Sequence, residues 1–343
     1  MAPSAIMAPS AISSSPVGID PQEINGNGKV VNGNGVSSPS LSSLSLKGHS
    51  NSHASTSSLL PPITSSDEEL DLICIGFGPS SLAIAIALYD TYSSPKSLSS
   101  PPKSLFLERQ STFAWHAGMQ LPSAKMQISF LKDLATPRSP TSTFTFINYL
   151  FTKGRLNHFI NLGTFLPSRA EYEDYLRWCA SRFEEMGIVG YGTDVYSVTA
   201  GSVSSSGKVT SWEVSAFNSL TGNSFTRKAR HVVIAVGGKP SIPTIFQGLK
   251  RVAHSSTFAS TIKKIEEDEK EQVREGKKLK FAVIGSGQSG AEIYNDLSER
   301  FGESAEVRLC IKGTSLRPSD DSPLCVFLSF PSPKITSADC KIA

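Results

Sequence analysis

The sequence predicts an α/β protein with two dinucleotide-binding units, because one distinctive pattern occurs in it twice. Residues 70–75 are a short apolar stretch of strand length, followed by a glycine turn and then by an Ala/Ile/Leu stretch long enough for a buried helix. The same order returns at residues 280–293. A strand, a tight glycine turn and a helix in this order bind pyrophosphate, since the helix N-terminus offers unpaired N–H groups and a positive dipole end.

The first turn contains Gly76, which permits a sharp bend, and Gly78, which lets the backbone come close to a pyrophosphate. Pro79 suits the first position of a helix, where no N–H is needed. Ser81 stands where the fingerprint has its third glycine. Taken alone, this turn is therefore also compatible with an ordinary strand-turn-helix.

The second turn is a complete G-x-G-x-x-G, followed by a helix that is predicted to run toward Phe301. Two such turns, about 200 residues apart, indicate either two dinucleotides or one duplicated fold. We favour two dinucleotides, because the strand and helix that the motif requires are present both times. The motif consists of Gly285, Ser286, Gly287, Gln288, Ser289 and Gly290.

Length, composition and charge restrict the class of protein. A chain of 343 residues is long enough for about two domains. The net charge is only +3 and there is no concentrated basic stripe, which argues against nucleic acid as a partner. The charged segment 263–280 alternates in sign, which is typical of a solvated helix and loop. No apolar stretch approaches the ~20 residues of a membrane span and the N-terminus does not resemble a signal peptide, so we expect a soluble cytoplasmic protein.

The five cysteines include no C-x-x-C pair, and no His/Cys cluster has metal-ligand spacing. Neither a disulfide framework nor a metal site is predicted. Cys74 and Cys310 lie in apolar strand patterns and are interpreted as small buried hydrophobic residues.

Residues 1–66 are dominated by Ser, Gly, Asn and Pro and contain no aromatic residue, which predicts a disordered segment. We expect the first dinucleotide unit, with a small β insertion, to occupy residues 67–250. The start of the second unit is expected at residues 251–324.

A second strand, residues 105–107, ends at Glu108. In dinucleotide folds an acid at this place hydrogen-bonds the ribose hydroxyls of the adenosine half, although it could equally be a solvated strand-end residue. Glu108 lies 30 residues beyond Gly78, and the Ser/Pro-rich loop 89–104 accounts for the long spacing.

Residues 113–137 have no clean period but carry several polar side chains among apolar ones. Any one of them would most often be a satisfied core residue, whereas their density beside a glycine turn predicts the wall of a binding pocket. These side chains are Trp115, His116, Gln120, Lys125 and Gln127.

Two helices are predicted next, at residues 144–150 and 171–183, the second with an apolar stripe. Residues 197–230 alternate apolar and polar residues and predict a small antiparallel meander. The meander leads into a strand at residues 231–238 that is predicted to be buried.

The strand after the second glycine-turn helix, residues 307–311, is followed by Lys312. A cation here suits the extra phosphate of NADP, where an NAD-specific fold would carry an acid. Lys312 could also be an ordinary surface lysine at a strand end.

Several motifs together closely resemble the fungal L-ornithine N-monooxygenases of siderophore biosynthesis, which are flavin-dependent N-hydroxylating enzymes. The resemblance covers roughly residues 71–323, and KMQISFLKDLATP is far more discriminating than either glycine turn. The other motifs are GFGPSSLA, FLPSRAEYEDYLRWCA, GGKPSIP, GSGQSGAE and LRPSDDSP.

The resemblance implies two Rossmann-like domains that bind FAD and NADPH, L-ornithine and O2 as substrates, and a homotetramer. FAD would lie on residues 76–81 with Glu108 near its adenosine, while Trp115, His116 and residues 125–127 would lie near the flavin. Lys125 matches the lysine that contacts the ornithine carboxylate, and Gln120 matches a glutamine near the isoalloxazine and nicotinamide. Residues 285–290 would hold the NADPH pyrophosphate, and Lys312 stands where relatives commonly have an arginine for the adenosine phosphate.

The reaction that the resemblance implies is N-hydroxylation of the side-chain amine of ornithine, the first step of hydroxamate siderophore biosynthesis. No catalytic side chain is assigned, because the oxygen chemistry belongs to the cofactor. A lysine N-hydroxylase and a non-catalytic FAD-binding fragment or gene-model artefact remain alternatives. A two-dinucleotide disulfide reductase is disfavoured by the absence of C-x-x-C.

The sequence departs from the family pattern after residue 323. Val326 stands where relatives have an asparagine that binds substrate, and we interpret residues 325–343 as an aberrant tail. The NADPH domain is therefore expected to be incomplete, and the chain to be poorly soluble or only partly ordered and to hydroxylate ornithine negligibly. A chain that continues in the family pattern beyond residue 323 is expected to be active.

Overall fold

The computed structural model describes residues 68–93, 100–313 and 315–316. All of them belong to one compact unit. The predicted disordered segment 1–66 and the predicted tail 325–343 lie outside the described residues.

The larger sheet contains six strands in the order β3-β2-β1-β6-β5-β4. β1 runs parallel to both β2 and β6, and β2 runs parallel to the short β3, whereas β4, β5 and β6 are antiparallel to one another. The parallel part thus has the order of a Rossmann half-fold, and its switch point lies between β1 and β6. The strands are β1 (Leu70–Ile75), β2 (Ser104–Leu107), β3 (Val189–Gly190), β4 (Thr193–Ala200), β5 (Trp212–Asn218) and β6 (Asn223–Ile234).

Helices connect the parallel strands. α1 follows β1, and α2, α3 and α4 lie between β2 and β3. The second unit consists of two helices, then a strand, a helix and a parallel strand, so the predicted α/β class is confirmed. The elements are α1 (Pro79–Tyr92), α2 (Phe146–Thr152), α3 (Leu156–Asn161), α4 (Arg169–Glu185), α5 (Phe258–Asp268), α6 (Lys270–Arg274), β7 (Leu279–Ile284), α7 (Gln288–Phe301) and β8 (Ala305–Cys310).

Side-chain caps set the starts of α2 and α4. The predicted start of α2 is two residues too early, and the predicted start of α4 is two residues too late. Thr145 caps α2, since its hydroxyl accepts the N–H of Asn148 at 3.2 Å. Ser168 caps α4 by accepting the N–H of Glu171 at 3.1 Å. The pair Ser168 and Glu171 has the spacing of a capping box, which begins a helix one residue after its serine.

The main core lies between the parallel strands, α1 and α4. Each residue of the predicted apolar stripe of α4 is buried, which confirms the orientation of that helix. The stripe consists of Tyr172, Tyr175, Leu176, Cys179 and Phe183. Cys74 is fully buried in β1 as predicted, whereas Cys310 ends β8 and is only partly buried.

Only residues 231–234 of the strand predicted at 231–238 are in a strand, and they form the end of the longer β6. The first half of β6 pairs with β5 and the second half pairs with β1. The prediction that this stretch is buried is wrong, because Ile234 is 68% exposed and Val236 lies beyond the strand and is 66% exposed. Val232 and Val233 still pack against two hydrophobic clusters, whereas the carboxyl end of β6 at Ile234 is exposed.

The charged segment 263–280 forms the end of α5, α6 and the loop before β7, and its charged side chains are largely exposed. This confirms the predicted solvated helix and loop. Within the described ranges, no helix has the length and apolar character needed to cross a membrane.

Candidate functional site

The first glycine turn lies at the switch point of the sheet. Gly76 has a φ of +93°, and a Cβ atom on it would lie 2.4 Å from the carbonyl oxygen of Ala235. Both the backbone conformation and this close approach therefore require glycine. Gly78 is the N-cap residue of α1 with extended backbone, and a Cβ there would meet no atom within 4 Å. The turn thus leaves open space directly before the helix N-terminus, with Pro79 at its start.

Ser81 explains how the first turn manages without its third glycine. Its hydroxyl is buried and donates to the carbonyl oxygen of Gly76 at 2.6 Å. In the second turn the equivalent residue is Gly290, where a Cβ would lie 2.7 Å from the oxygen of Gly285. The first turn replaces this close contact by a hydrogen bond. A contact of Ser81 with a cofactor stays a prediction.

Glu108 follows β2, the predicted second strand, and lies beside the first turn. One carboxylate oxygen accepts the N–H of Phe77 at 2.8 Å, and the other accepts the N–H of Gln110 at 2.9 Å. The carboxylate therefore fixes the turn itself. Its predicted contact with a ribose stays a prediction.

The second glycine turn repeats the geometry of the first. Gly287 is the N-cap residue of α7 with extended backbone, and a Cβ on it would meet no atom within 4 Å. The N–H of Gly285 donates to the carbonyl oxygen of Cys310 at 3.0 Å, which ties the turn to the end of β8. Lys312 follows β8 and is exposed. Because β7 and β8 are parallel, Lys312 leaves the sheet at the same edge as the turn.

A cleft of about 270 Å³ brings the predicted pocket wall against the start of α7. Its walls come from the loop after β2, from the start of α4 and from the first turn of α7. Eleven residues line the cleft, and six of them are predicted site residues. The predicted ones are Trp115, His116, Lys125, Gln127, Gln288 and Ser289.

Gln120 does not line this cleft, although the sequence placed it in the pocket wall. Its amide nitrogen donates to the carbonyl oxygen of Trp115 at 3.0 Å, which holds the loop in shape. Its amide oxygen is buried and has no hydrogen-bond partner among the described residues. A buried acceptor of this kind is costly unless a ligand donates to it.

His116 is held in the left-handed region with a φ of 46°, and its ring centroid lies 5.0 Å from that of Trp115. Partial burial lowers the pKa of the imidazole, and the positive charge of Arg169 lowers it further. His116 is therefore neutral at neutral pH and adds no charge to the cleft.

The loop that lines the cleft also touches the first turn. The ring of Phe113 packs edge-on against that of Phe77, with 6.3 Å between the centroids. Trp115 follows two residues later and lines the cleft. One stretch of chain therefore connects the first glycine turn with the cleft at the second.

Arg169 and Glu292 are cleft residues that sequence reasoning missed. Two guanidinium nitrogens of Arg169 donate to the two carboxylate oxygens of Glu292, each at 2.8 Å. The residues are 123 positions apart, and each lies in an ordinary helix-forming stretch. No local pattern therefore indicates the pair.

Comparisons with known proteins agree with this architecture. The model of the L-lysine 6-monooxygenase/L-ornithine 5-monooxygenase family matches residues 68–337. The L-ornithine N(5)-monooxygenase of Arthroderma benhamiae is 51% identical over 276 residues, which are 79% of this chain and 53% of that protein. The chain spans about half the length of the curated relatives it matches.

Two solved structures are similar to the fold. The ornithine hydroxylase PvdA from Pseudomonas aeruginosa has a TM-score of 0.64 and 38% identity, with 75% of this chain and 58% of that chain covered. The ornithine N-hydroxylase KtzI of Kutzneria sp. 744, solved with FADred, NADP+ and L-orn, has a TM-score of 0.63 and 35% identity, with 75% and 56% covered. From the family match and these similarities, the chain belongs to the L-lysine 6-monooxygenase/L-ornithine 5-monooxygenase family.

Proposed function

We propose that the chain binds FAD at the first glycine turn and NADPH at the second, and that it N-hydroxylates the side-chain amine of L-ornithine with O2. The observation that carries the proposal is the cleft, in which Lys125 from the loop faces Gln288 and Ser289 at the start of α7. A cation for a substrate carboxylate and a helix N-terminus for a pyrophosphate thus share one cavity. The names of the relatives support ornithine as the substrate.

The residues of the first turn fit FAD. Gly78 leaves free space before α1, and no side chain caps that helix, so its first N–H groups are available to a pyrophosphate. Glu108 is the acid for the adenosine ribose. The buried amide oxygen of Gln120 would accept an N–H of the cofactor.

The residues of the second turn fit NADPH in the same way. Gly287 leaves the N-terminus of α7 open, and no side chain caps it. Gln288 and Ser289 supply polar groups beside the pyrophosphate, and Ser286 lies within the turn. Lys312 at the same sheet edge supplies a cation for the adenosine phosphate.

The chain's own part in the reaction is binding, orientation and exclusion of water. When bound, FAD supplies the oxygen chemistry. Lys125 would hold the carboxylate of ornithine, and its backbone position is fixed by a β-bridge to Ser168. His116 is neutral and therefore adds no positive charge to the cleft. Trp115 contributes an apolar wall. The apolar wall favours the uncharged amine, which is the nucleophilic form, because burial disfavours the ammonium ion.

Further parts of the proposal rest on the family resemblance. We assign residues 67–250 to the FAD domain and residues 251–324 to the NADPH domain. A homotetramer in the cytoplasm, acting in the first step of hydroxamate siderophore biosynthesis, completes the assignment. L-Lysine is the second candidate substrate, because the matching family unites lysine and ornithine monooxygenases.

The test is formation of N-hydroxylated product from L-ornithine or L-lysine with NADPH and O2, at measured FAD occupancy. We expect product from ornithine with a chain that continues in the family pattern beyond residue 323, and in that chain Lys125→Met should raise the KM for ornithine at least about tenfold by removing a charged hydrogen-bond donor. Lys132→Met is the control, since Lys132 is an exposed lysine of the same loop outside the cleft.

A flavin spectrum without product from either amino acid would contradict the proposed activity and favour a non-catalytic FAD-binding chain. Product from lysine in preference to ornithine would overturn the substrate assignment. Equal effects of both lysine substitutions on KM would mean that Lys125 is not the carboxylate ligand.

A further inference from the structure

We infer that Arg169 and Glu292 are positioning residues of the second dinucleotide site, and that Arg169 keeps the start of α7 able to accept a pyrophosphate. The inference rests on the proposed function, because it concerns the site assigned there to NADPH. Neither residue is expected to touch a reacting atom.

Arg169 and Glu292 form a bidentate ion pair with a fixed geometry. Two parallel hydrogen bonds of 2.8 Å join the guanidinium of Arg169 to the carboxylate of Glu292, and Arg169 also donates to the carbonyl oxygen of Met119 at 2.7 Å. The side chains are only 12% and 19% exposed. A bidentate pair in a partly desolvated place is much stronger and more precise than an exposed ion pair.

The charge of Glu292 lies in an unfavourable place for the proposed ligand. Glu292 is four residues after Gln288, the first residue of α7, so it lies about one helical turn from the N-terminus. A free carboxylate there would repel a pyrophosphate at that N-terminus. The guanidinium of Arg169 compensates this charge directly.

The pair also determines where Gln288 points. The side-chain nitrogen of Gln288 donates to the same carboxylate at 2.6 Å. Arg169 therefore acts on Gln288 through Glu292, and Gln288 faces the cleft.

The backbone around Arg169 is hydrogen-bonded to the loop that lines the cleft. The N–H of Arg169 donates to the carbonyl oxygen of Ala124 at 2.8 Å, and the N–H of Met126 donates to that of Pro167 at 2.9 Å. These bonds flank Lys125. The pair consequently connects the loop that carries Lys125 with the helix that carries Gln288.

The first experiment measures NADP+ binding to the FAD-loaded 343-residue chain. We expect Arg169→Met to weaken NADP+ at least about tenfold, since it leaves an uncompensated carboxylate beside the pyrophosphate. Glu292→Gln should weaken it clearly less, because it removes the repelling charge. The double variant Arg169→Met, Glu292→Met should bind NADP+ better than Arg169→Met alone. FAD occupancy should remain unchanged in all three.

Two controls lie on the same helices but outside the cleft. Arg182 is an exposed arginine of α4 that lies over the ring of Trp178, and Glu299 is an exposed acid of α7. Arg182→Met and Glu299→Gln should leave NADP+ binding within about twofold of the wild type. Equal NADP+ affinity of Arg169→Met and Arg182→Met would overturn the inference.

The second experiment needs no dinucleotide. Hydrogen exchange of the backbone amides of Met126 and Arg169 should be at least about tenfold faster in Arg169→Met than in the wild type, and unchanged in Arg182→Met. Unchanged exchange in Arg169→Met would refute the anchoring of the loop. If the wild type itself binds no NADP+, the proposed function fails, while the exchange rates still decide whether the pair positions the loop.

Discussion

Gly78 and Gly287 occupy the same place in the two glycine turns. Each is the N-cap residue of its helix, each has ordinary extended backbone, and a Cβ on either meets no atom within 4 Å. The fold therefore does not need glycine at these two positions. If the turns bind dinucleotides, the ligands need it, because only glycine leaves room for a pyrophosphate against the backbone.

Replacing either glycine by leucine should abolish binding at one site and leave the other site intact. We expect Gly78→Leu to fold and to lose FAD while NADP+ binding remains, and Gly287→Leu to lose NADP+ while FAD remains. Melting temperature, flavin content after gel filtration and NADP+ titration measure the three properties. A Gly78→Leu protein that stays folded and yellow would refute the first site, and each variant is the control for the other.

Lys312 should determine which nicotinamide dinucleotide is preferred. Lys312→Glu places a like charge beside the extra phosphate of NADPH, so we expect it to weaken NADPH at least about tenfold more than NADH. The ratio of the two dissociation constants is the measurement. Lys280→Glu, an exposed lysine of β7, is the matched control and should leave the ratio unchanged. Equal losses for both dinucleotides in Lys312→Glu would make Lys312 an ordinary surface residue.

At the scale of the elements, Asp133 organises the loop between β2 and α2. One of its buried carboxylate oxygens accepts the N–H groups of Ala135 at 2.9 Å and Thr136 at 2.5 Å. The other accepts the hydroxyl of Thr136 at 2.8 Å and the N–H of Phe146, the first residue of α2, at 2.6 Å. These hydrogen bonds explain why an aspartate stands in the segment KDLATP. The periodicity of the segment does not reveal this role.

Asp133→Asn should destabilise the protein by about 2–4 kcal/mol, because one amide nitrogen would then face donors that the carboxylate accepts. The free energy of unfolding in urea is the measurement. Asp194→Asn, an exposed aspartate of β4, should cost less than about 0.5 kcal/mol. A similar small cost for both would show that the loop does not depend on the carboxylate.

β6 combines two segments that the sequence predicted as separate, namely the end of the meander and the strand that begins at residue 231. The meander and the parallel sheet share this strand, since Ala229 pairs with Trp212 on one side and with Leu70 on the other. Alternation of apolar and polar residues does not distinguish an antiparallel from a parallel neighbour. The sequence therefore predicted strands at both places and divided them wrongly.

For the whole molecule, the buried thiols and phenols predict a loss of stability at alkaline pH. Burial raises the pKa of Cys74 from 9.0 to about 11, and the hydrogen bond from Ser81 only partly offsets it. Burial also raises the pKa values of Tyr149, Tyr172, Tyr175 and Tyr191. A group whose pKa is raised on folding stabilises the folded chain fully below its unfolded pKa, and this contribution is lost as the pH rises toward the folded pKa.

We therefore expect the free energy of unfolding to fall as the pH rises above about 9. The shift of Cys74 accounts for at most about 2.7 kcal/mol of this loss between pH 9 and 11. Urea unfolding at several pH values measures it, and Cys74→Ala should show a shallower decline than the wild type over that range. Parallel curves for the two proteins would contradict the assignment to Cys74.

The sequence by itself determined the α/β class, both glycine turns and the loop that supplies the cleft. Each of these rests on neighbours in the chain: the strand and helix around a turn, the stripe of α4, or the polar residues gathered between Trp115 and Gln127. The motifs of the family resemblance are of the same local kind.

Only the tertiary structure decided how these parts meet. It brought Gly76 against Ala235, joined Arg169 to Glu292, and turned Gln120 away from the cleft while leaving its oxygen buried. Such contacts join residues that are far apart in the chain, and they depend on the packing of whole helices and strands. A periodic pattern indicates only which face of its own element a residue occupies. It therefore cannot identify the residue on another element that this residue contacts.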